Sequence, residues 1–351
     1  MLRTLLRNFR WHRTADRWGP RRLIVADLSP DSTRTVVVAR DGDTITWESG
    51  QILPRMADDF TIGGKPLGQQ LRTAGNDSQY VSVVYGLPGS FVRLLNFPGQ
   101  PPRAEILTSQ VRQTLGVDDT YEARHHVVRQ AGSGEKNPEF AVLATALPVA
   151  AVDSISASLH QSNLSTVSLV IRGTVAANLA ERDLPDDGRA VGFLEIGNET
   201  SMLLLYVGEN LALARQFKVG LDMIVESLMK AFDLDYDTAA KLFNSGSFDF
   251  SGNITSSVST WMHQVSISLD FIERRYGGRV DDLYLFGAGT GTQVLISIFR
   301  GAVHRNVKPW AVVEGLATGS PPAELAAPPG MFALALGEAQ RVMTRGIEHG
   351  A

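Results

Sequence analysis

The sequence predicts an α/β chain built as two related halves, and two patterns carry that expectation. The first is a hairpin with an acid at the end of its opening strand, and it occurs twice. Residues 191–206 run VGFLEIGNETSMLLLY: an apolar strand, Glu195, a polar turn through Gly197, Asn198, Glu199 and Thr200, then a second apolar strand. Residues 23–39 repeat it as LIVA, Asp27, a turn from Leu28 to Thr33, and TVVVA, so the two acids stand 168 residues apart. The second pattern is a third strand in each half, reached through Asp41-Gly42-Asp43 in one and Gly208-Glu209-Asn210 in the other. Apolar stripes at helical spacing follow both meanders, which makes the class α/β rather than all-β. A chain of 351 residues exceeds one compact core and suits two lobes.

Bulk properties exclude several functions. A formal charge of −4 gives no electrostatic reason for nucleic-acid binding. The absence of cysteine removes disulfides, thiolate nucleophiles and cysteine zinc sites, and fits a cytoplasmic protein. With no run of 18 apolar residues the chain is not expected to span a membrane, and its start lacks a signal-peptide core.

Residues 1–22 carry Arg3, Arg7, Arg10, Arg13, Arg17, Arg21 and Arg22 against Asp16 alone, with Leu2, Leu5, Leu6 and Phe9 at helical spacing. Two readings stay open: a basic amphipathic helix lying on an anionic membrane surface or on an acidic partner, or a plain N-terminal extension. After the first meander come a short helix at 67–73, strands at 80–86 and 91–97, a helix at 102–115 and strands at 121–130 and 140–146. A helix at 149–159, a strand at 167–171 and a helix to Glu181 follow. The block 79–162 reads as an inserted subdomain between the first-lobe segments 23–78 and 163–182. The polar linker RDLPDDGR, residues 182–189, marks the boundary to a second lobe at 190–313. That lobe holds helices at 220–232, from Asp237, at 256–276 and at 292–299, with strands at 282–286 and 303–310. A terminal helix at 332–345 is assigned to the first lobe.

The acid hairpins suit phosphate chemistry: turn amides can hold phosphates while Asp27 and Glu195 position magnesium through water. The turn at Gly287, Gly289 and Gly291 after an apolar strand lets backbone approach an adenosine or ribose without side-chain collision. His125 and His126 are neighbours on a strand and face opposite sides, which argues against a shared metal. His263 reads as a solvated or core-edge residue, and no Ser-His-Asp set or glycosidase-like carboxylate pair stands out.

Several stretches in this order resemble the actin-like ATPase superfamily, and within it the PilM branch of type IV pilus assembly proteins related to FtsA. VYGLPGSFVRLLNFP, RAEILTSQVRQTLGV and AVLATALPVAAVDSISASLHQSNL are similar to the family's small subdomain. RQFKVGLDMI resembles the start of its second lobe, LYLFGAGTG its adenosine turn, and FALALGEAQR its terminal A-x-G-L-A-x-R helix. The resemblance covers nearly the whole chain from Arg22. It implies a duplicated, ribonuclease H-like, two-lobe fold with an inserted α+β subdomain and a cleft for ATP with magnesium. By position, Asp27, Ser29, Ser32 and Thr33 belong to the first phosphate loop, and Glu195, Gly197, Asn198 and Thr200 to the second. Gly287 and Gly289 fall at the adenosine. A groove beside the insert, with Phe91 and Leu94 as candidate lining, is implied to hold the short cytoplasmic segment of a PilN-like inner-membrane protein.

Departures from the family pattern point away from turnover. The family's D-I-G-S-S-S-V-K loop reads DLSPDSTR here, so Ser29 replaces glycine, Pro30 removes an amide donor and Asp31 adds a charge. Glu195 replaces the usual Asp, and the ribose-contacting helix places Ala240 and Phe243 where hydrogen-bonding groups are expected, with Lys241 displaced. The expected function is a cytoplasmic scaffold, peripheral to the inner membrane, with nucleotide binding weakened or lost and slow ATP turnover at most. An active ATPase and an FtsA-like, membrane-tethered filament protein are the alternatives, and self-association is left open. A GspL-like protein is disfavoured because that family anchors itself directly.

Overall fold

The structure, a computed structural model, describes residues 20–30, 32–54, 56–57, 60–74, 77–129, 139–245, 251–287, 293–317 and 329–344. The chain divides into two compact units, residues 1–179 with 312–351 and residues 180–311. Of the basic N-terminal segment only residues 20–22 are described, and Arg22 already belongs to the first strand. The proposed membrane helix, Asp31, Gly289 and Gly291 lie outside the described residues.

The first unit opens on β1 (Arg22–Leu28), buried at every position from Leu23. Such a run without alternation belongs to a strand covered on both faces. A turn leads to antiparallel β2 (Ser32–Asp41), and Gly42, with a φ of +58°, turns the chain into β3 (Thr44–Pro54). β3 begins with exposed Thr44 and Thr46 alternating with buried Ile45 and Trp47, as suits an edge strand. A small hairpin of β4 (Thr61–Ile62) and β5 (Lys65–Pro66) turns through Gly63 and Gly64, both at positive φ, and leads into α1 (Leu67–Ala74). Next come β6 (Tyr80–Tyr85), β7 (Phe91–Pro98), α2 (Ala104–Leu115), β8 (Tyr121–Arg129) and β9 (Glu139–Pro148). Then follow α3 (Val149–Gln161), β10 (Ser165–Ile171) and α4 (Arg172–Arg182).

These strands form a five-stranded sheet in the order β10-β6-β1-β2-β3, with β10, β6 and β1 parallel, and a separate antiparallel sheet β7-β9-β8. This corrects the extent of the insert. Tyr80–Tyr85 lies inside the main sheet, bonded to β1 and β10, and α3 packs against α1 and β10, so the inserted layer is β7, α2, β8 and β9. Gly68 permits the close α1–α3 approach, because a Cβ there would stand 2.2 Å from the Ser158 carbonyl oxygen. α2 covers one face of the inserted sheet with Leu107, Val111 and Leu115 against Phe140, Val142 and Ala144, and ends at Gly116 with left-handed φ.

The second unit repeats the main sheet strand for strand. β11 (Ala190–Ile196), β12 (Ser201–Val207) and β13 (Asn210–Phe217) form the meander. After α5 (Leu221–Phe232), α6 (Tyr236–Ser245) and α7 (Ser251–Tyr276) comes β14 (Val280–Gly287), parallel to β11. α8 (Gln293–Val303) then leads to β15 (Asn306–Pro309). The order is β13-β12-β11-β14-β15, which matches β3-β2-β1-β6-β10. One face packs Leu194, Leu203 and Leu285 against Ile224, Trp261, Val265 and Phe299 of the helices. The other carries Phe193, with Tyr284 at 5.4 Å and Trp310 at 4.8 Å between ring centres.

The chain then returns to the first unit, where α9 (Ala333–Thr344) packs on β1, β2 and β6. Sequence-read boundaries shift modestly: α7 starts five residues earlier than expected, α8 runs on to Val303 and shortens the final strand, and α2 starts after Pro102.

Candidate functional site: two acid turns

Both acids end a strand that pairs in parallel with its neighbour, at the carboxyl edge where α/β sheets present ligand sites. The turns share a bond. Ser29 N–H donates to the Ser32 carbonyl at 3.0 Å, and Gly197 N–H donates to the Thr200 carbonyl at 2.9 Å. At Gly197 a Cβ would meet that carbonyl at 2.6 Å, so the second turn requires glycine.

The second turn is held by its own helix. Leu221 and Asp222 N–H groups at the start of α5 donate to the Gly197 and Asn198 carbonyls, each at 3.0 Å, and the Ser201 hydroxyl donates to the Val219 carbonyl at 2.6 Å. Gly220 makes this contact possible, since a Cβ would stand 2.3 Å from both carbonyl oxygens. Glu195 is buried, in register with Met202 on β12 and Phe286 on β14. Gly287 pairs with Ile196, with a φ of +100° and room for no Cβ, which would fall 2.3 Å from the Ile196 carbonyl oxygen. The structure therefore gathers Glu195, Gly197, Asn198, Thr200 and Gly287 at one sheet edge. Ala240 and Phe243 of α6 pack into the unit's core, and Lys241 is exposed.

The first turn is built differently. Asp27 is fully buried and in register with Arg34 of β2. Arg34 Nη1 stands 3.7 Å from one carboxylate oxygen, and Arg172 Nη1, from the first residue of α4, stands 3.8 Å from the other. Among the described residues neither oxygen accepts a hydrogen bond. Both arginines donate to the Ser29 hydroxyl, Arg34 at 2.9 Å. Gly86 leaves space for Arg172, because a Cβ there would lie 3.0 Å from its Cδ. Ser32 and Thr33 are buried in β2. The reading from sequence missed Arg172. The Asp27–Arg34 pairing was open to it, because the two residues sit opposite each other across the turn.

The two residues assigned to the partner groove do not share a face. Side chains alternate along a strand, so positions three apart point to opposite sides. Phe91 packs under α2, 5.6 Å from the Tyr121 ring. Leu94 lies on the other face, in register with Leu143, which is in turn in register with His126. That face also carries a small cavity lined by Glu122, Arg124, Thr145, Leu147, Leu169 and Ile171. Burial lowers the pKa of both His125 and His126, with the neighbouring charge of Arg124 and His125 respectively adding to it. Their opposite orientation agrees with the expectation from sequence. Among the described residues no cluster of three or more His, Asp or Glu side chains is arranged to hold a metal, and no helix is long and apolar enough to cross a membrane.

Duplicated meander sheets of identical strand order, each with an acid ending the first strand, define an actin-like fold. MreB5 of Spiroplasma citri bound to ADP matches over 94% of this chain and 99% of its own at 10% identity, with a TM-score of 0.51. A stronger likeness is to the solved PilM–PilN type IV pilus biogenesis complex. It covers 92% of this chain and 99% of that chain at 18% identity, with a TM-score of 0.75. The sequence matches no protein-family model and no curated protein.

Proposed function

We propose that this chain is a PilM-like scaffold of a type IV pilus or related secretion machine. In this reading it works on the cytoplasmic side of the inner membrane and holds the cytoplasmic segment of a PilN-like membrane protein. The observation that carries the reading is the backbone likeness to the PilM–PilN complex along nearly the whole of that chain. The inserted sheet supplies a seat of fitting kind: Leu94 and Leu143 form an apolar strip on the face away from α2, beside the cavity at Thr145 and Leu147. Nucleotide binding is weakened or lost in this proposal. Magnesium-ATP, which the fold implies, fits the first turn poorly: Ser29 N–H is already bonded, Pro30 has none, and two guanidinium groups face Asp27.

The test is a binding titration of the full chain with a labelled peptide of the PilN-like protein's cytoplasmic segment, read by fluorescence anisotropy. Saturable binding that Leu94→Glu weakens at least about tenfold supports the proposal, since a buried charge without a partner is costly. Absence of saturable binding, or Leu94→Glu binding as well as wild type, refutes it. Phe91→Glu is expected to unfold the insert instead, because Phe91 packs under α2.

A further inference from the structure

We infer that Arg34 and Arg172 are the resident counter-ions of Asp27, replacing at the first turn the divalent cation that an actin-like site places near its acid. This deepens the reading above, for the same turn. Cations reach the carboxylate from two elements, one from the strand paired with β1 and one from the start of α4. Both guanidinium groups stand within 4 Å of the carboxylate, so a magnesium ion brought to Asp27 meets their repulsion. Access is closed as well: the side chains of Asp27 and Arg34 are 1% and 2% exposed.

Three departures from a glycine-rich turn act together. Ser29 stands where the second turn has Gly197, and its hydroxyl accepts from both guanidinium groups, which fixes them beside the acid. Gly86, at the end of β6, opens the space that Arg172 crosses. Arg34 occupies the register position that Met202 fills in the second unit, so the duplicated turn lacks this cross-strand cation. The arrangement makes the fold of the first unit independent of magnesium and nucleotide.

The experiment measures melting temperature on the full chain stripped with chelator, then supplied with magnesium chloride alone, ATP alone, or both. The wild type should not move with any addition, and Asp27→Asn should melt lower because buried Arg34 and partly buried Arg172 lose this carboxylate. In Arg172→Ala, magnesium alone should raise the melting temperature by about 3 °C at tenfold its dissociation constant, and Asp27→Asn in that background should remove the rise. Three results would each overturn the inference: a wild-type rise with magnesium-ATP that Asp27→Asn abolishes, a wild-type rise with ATP in chelator, or no magnesium response in Arg172→Ala. The wild-type titrations decide even where a variant fails to fold. The peptide assay above is separate, so a failure of either claim is told from a failure of the other.

Discussion

Replacing Glu338 by alanine tests what fixes the terminal helix. Glu338 is fully buried on α9, where one carboxylate oxygen accepts from the Ser82 hydroxyl of β6 at 2.6 Å and both take the Arg341 guanidinium. Arg341 also donates to the Ser168 hydroxyl of β10 at 2.6 Å, and its side chain is only 10% exposed. Glu338→Ala leaves that guanidinium buried without its carboxylate, a change that costs roughly 3–5 kcal/mol. At about 2–4 °C per kcal/mol for a unit of this size, the melting transition of the first unit should fall by about 6–20 °C, measured by calorimetry on the full chain. The double variant Glu338→Leu/Arg341→Leu removes both charges and should lose less than the single variant, because no orphaned ion remains. A loss below about 1 kcal/mol for Glu338→Ala, or a double variant as unstable as the sum of the singles, refutes this account of the contact.

Gly287→Ala forces a side chain into a positive φ and against the Ile196 carbonyl, so the urea midpoint should drop by the equivalent of at least about 2 kcal/mol. Gly42→Ala, at a φ of +58° with no atom within 4 Å, is the control and should lose only about 1 kcal/mol. Burial pushes the Glu181 carboxyl up to about 7, so the native state binds its proton where the unfolded chain has released it. Stability should therefore fall as pH rises from about 4.5 to 7 and level off above, by roughly 3 kcal/mol relative to Glu181→Gln. Parallel pH profiles for the two proteins would contradict that assignment.

The hairpins at Asp27 and Glu195 were legible because turn residues sit between continuous apolar runs, and the Gly42 and Gly208 turns extended each to a meander. The terminal motif was legible as a pattern before it had a cause. Gly337 is needed because a Cβ would stand 2.6 Å from the Leu179 side chain, and Glu338 and Arg341 form the buried pair. Less legible was the place of Tyr80–Tyr85. A short apolar strand looks the same in either sheet, and only its parallel pairing with β1 and β10, which joins distant segments, settles the matter. The opposite facing of Phe91 and Leu94 was also legible, since the two differ in parity along one strand.

Arg172 shows the opposite limit. Nothing near it in sequence marks it as a partner of Asp27, because the contact depends on β10 ending beside β6 and on Gly86 being small. At an effective dielectric of about 20, each guanidinium at this distance attracts the carboxylate by about 4 kcal/mol, and desolvation and mutual repulsion of the arginines offset part of that. The second turn reaches order by other means: glycines at 197, 220 and 287 let backbone meet backbone, and the start of α5 bonds directly to the turn carbonyls. Two halves with one strand order thus build their turns differently: arginines reach the acid in the first, and glycines admit close backbone approach in the second.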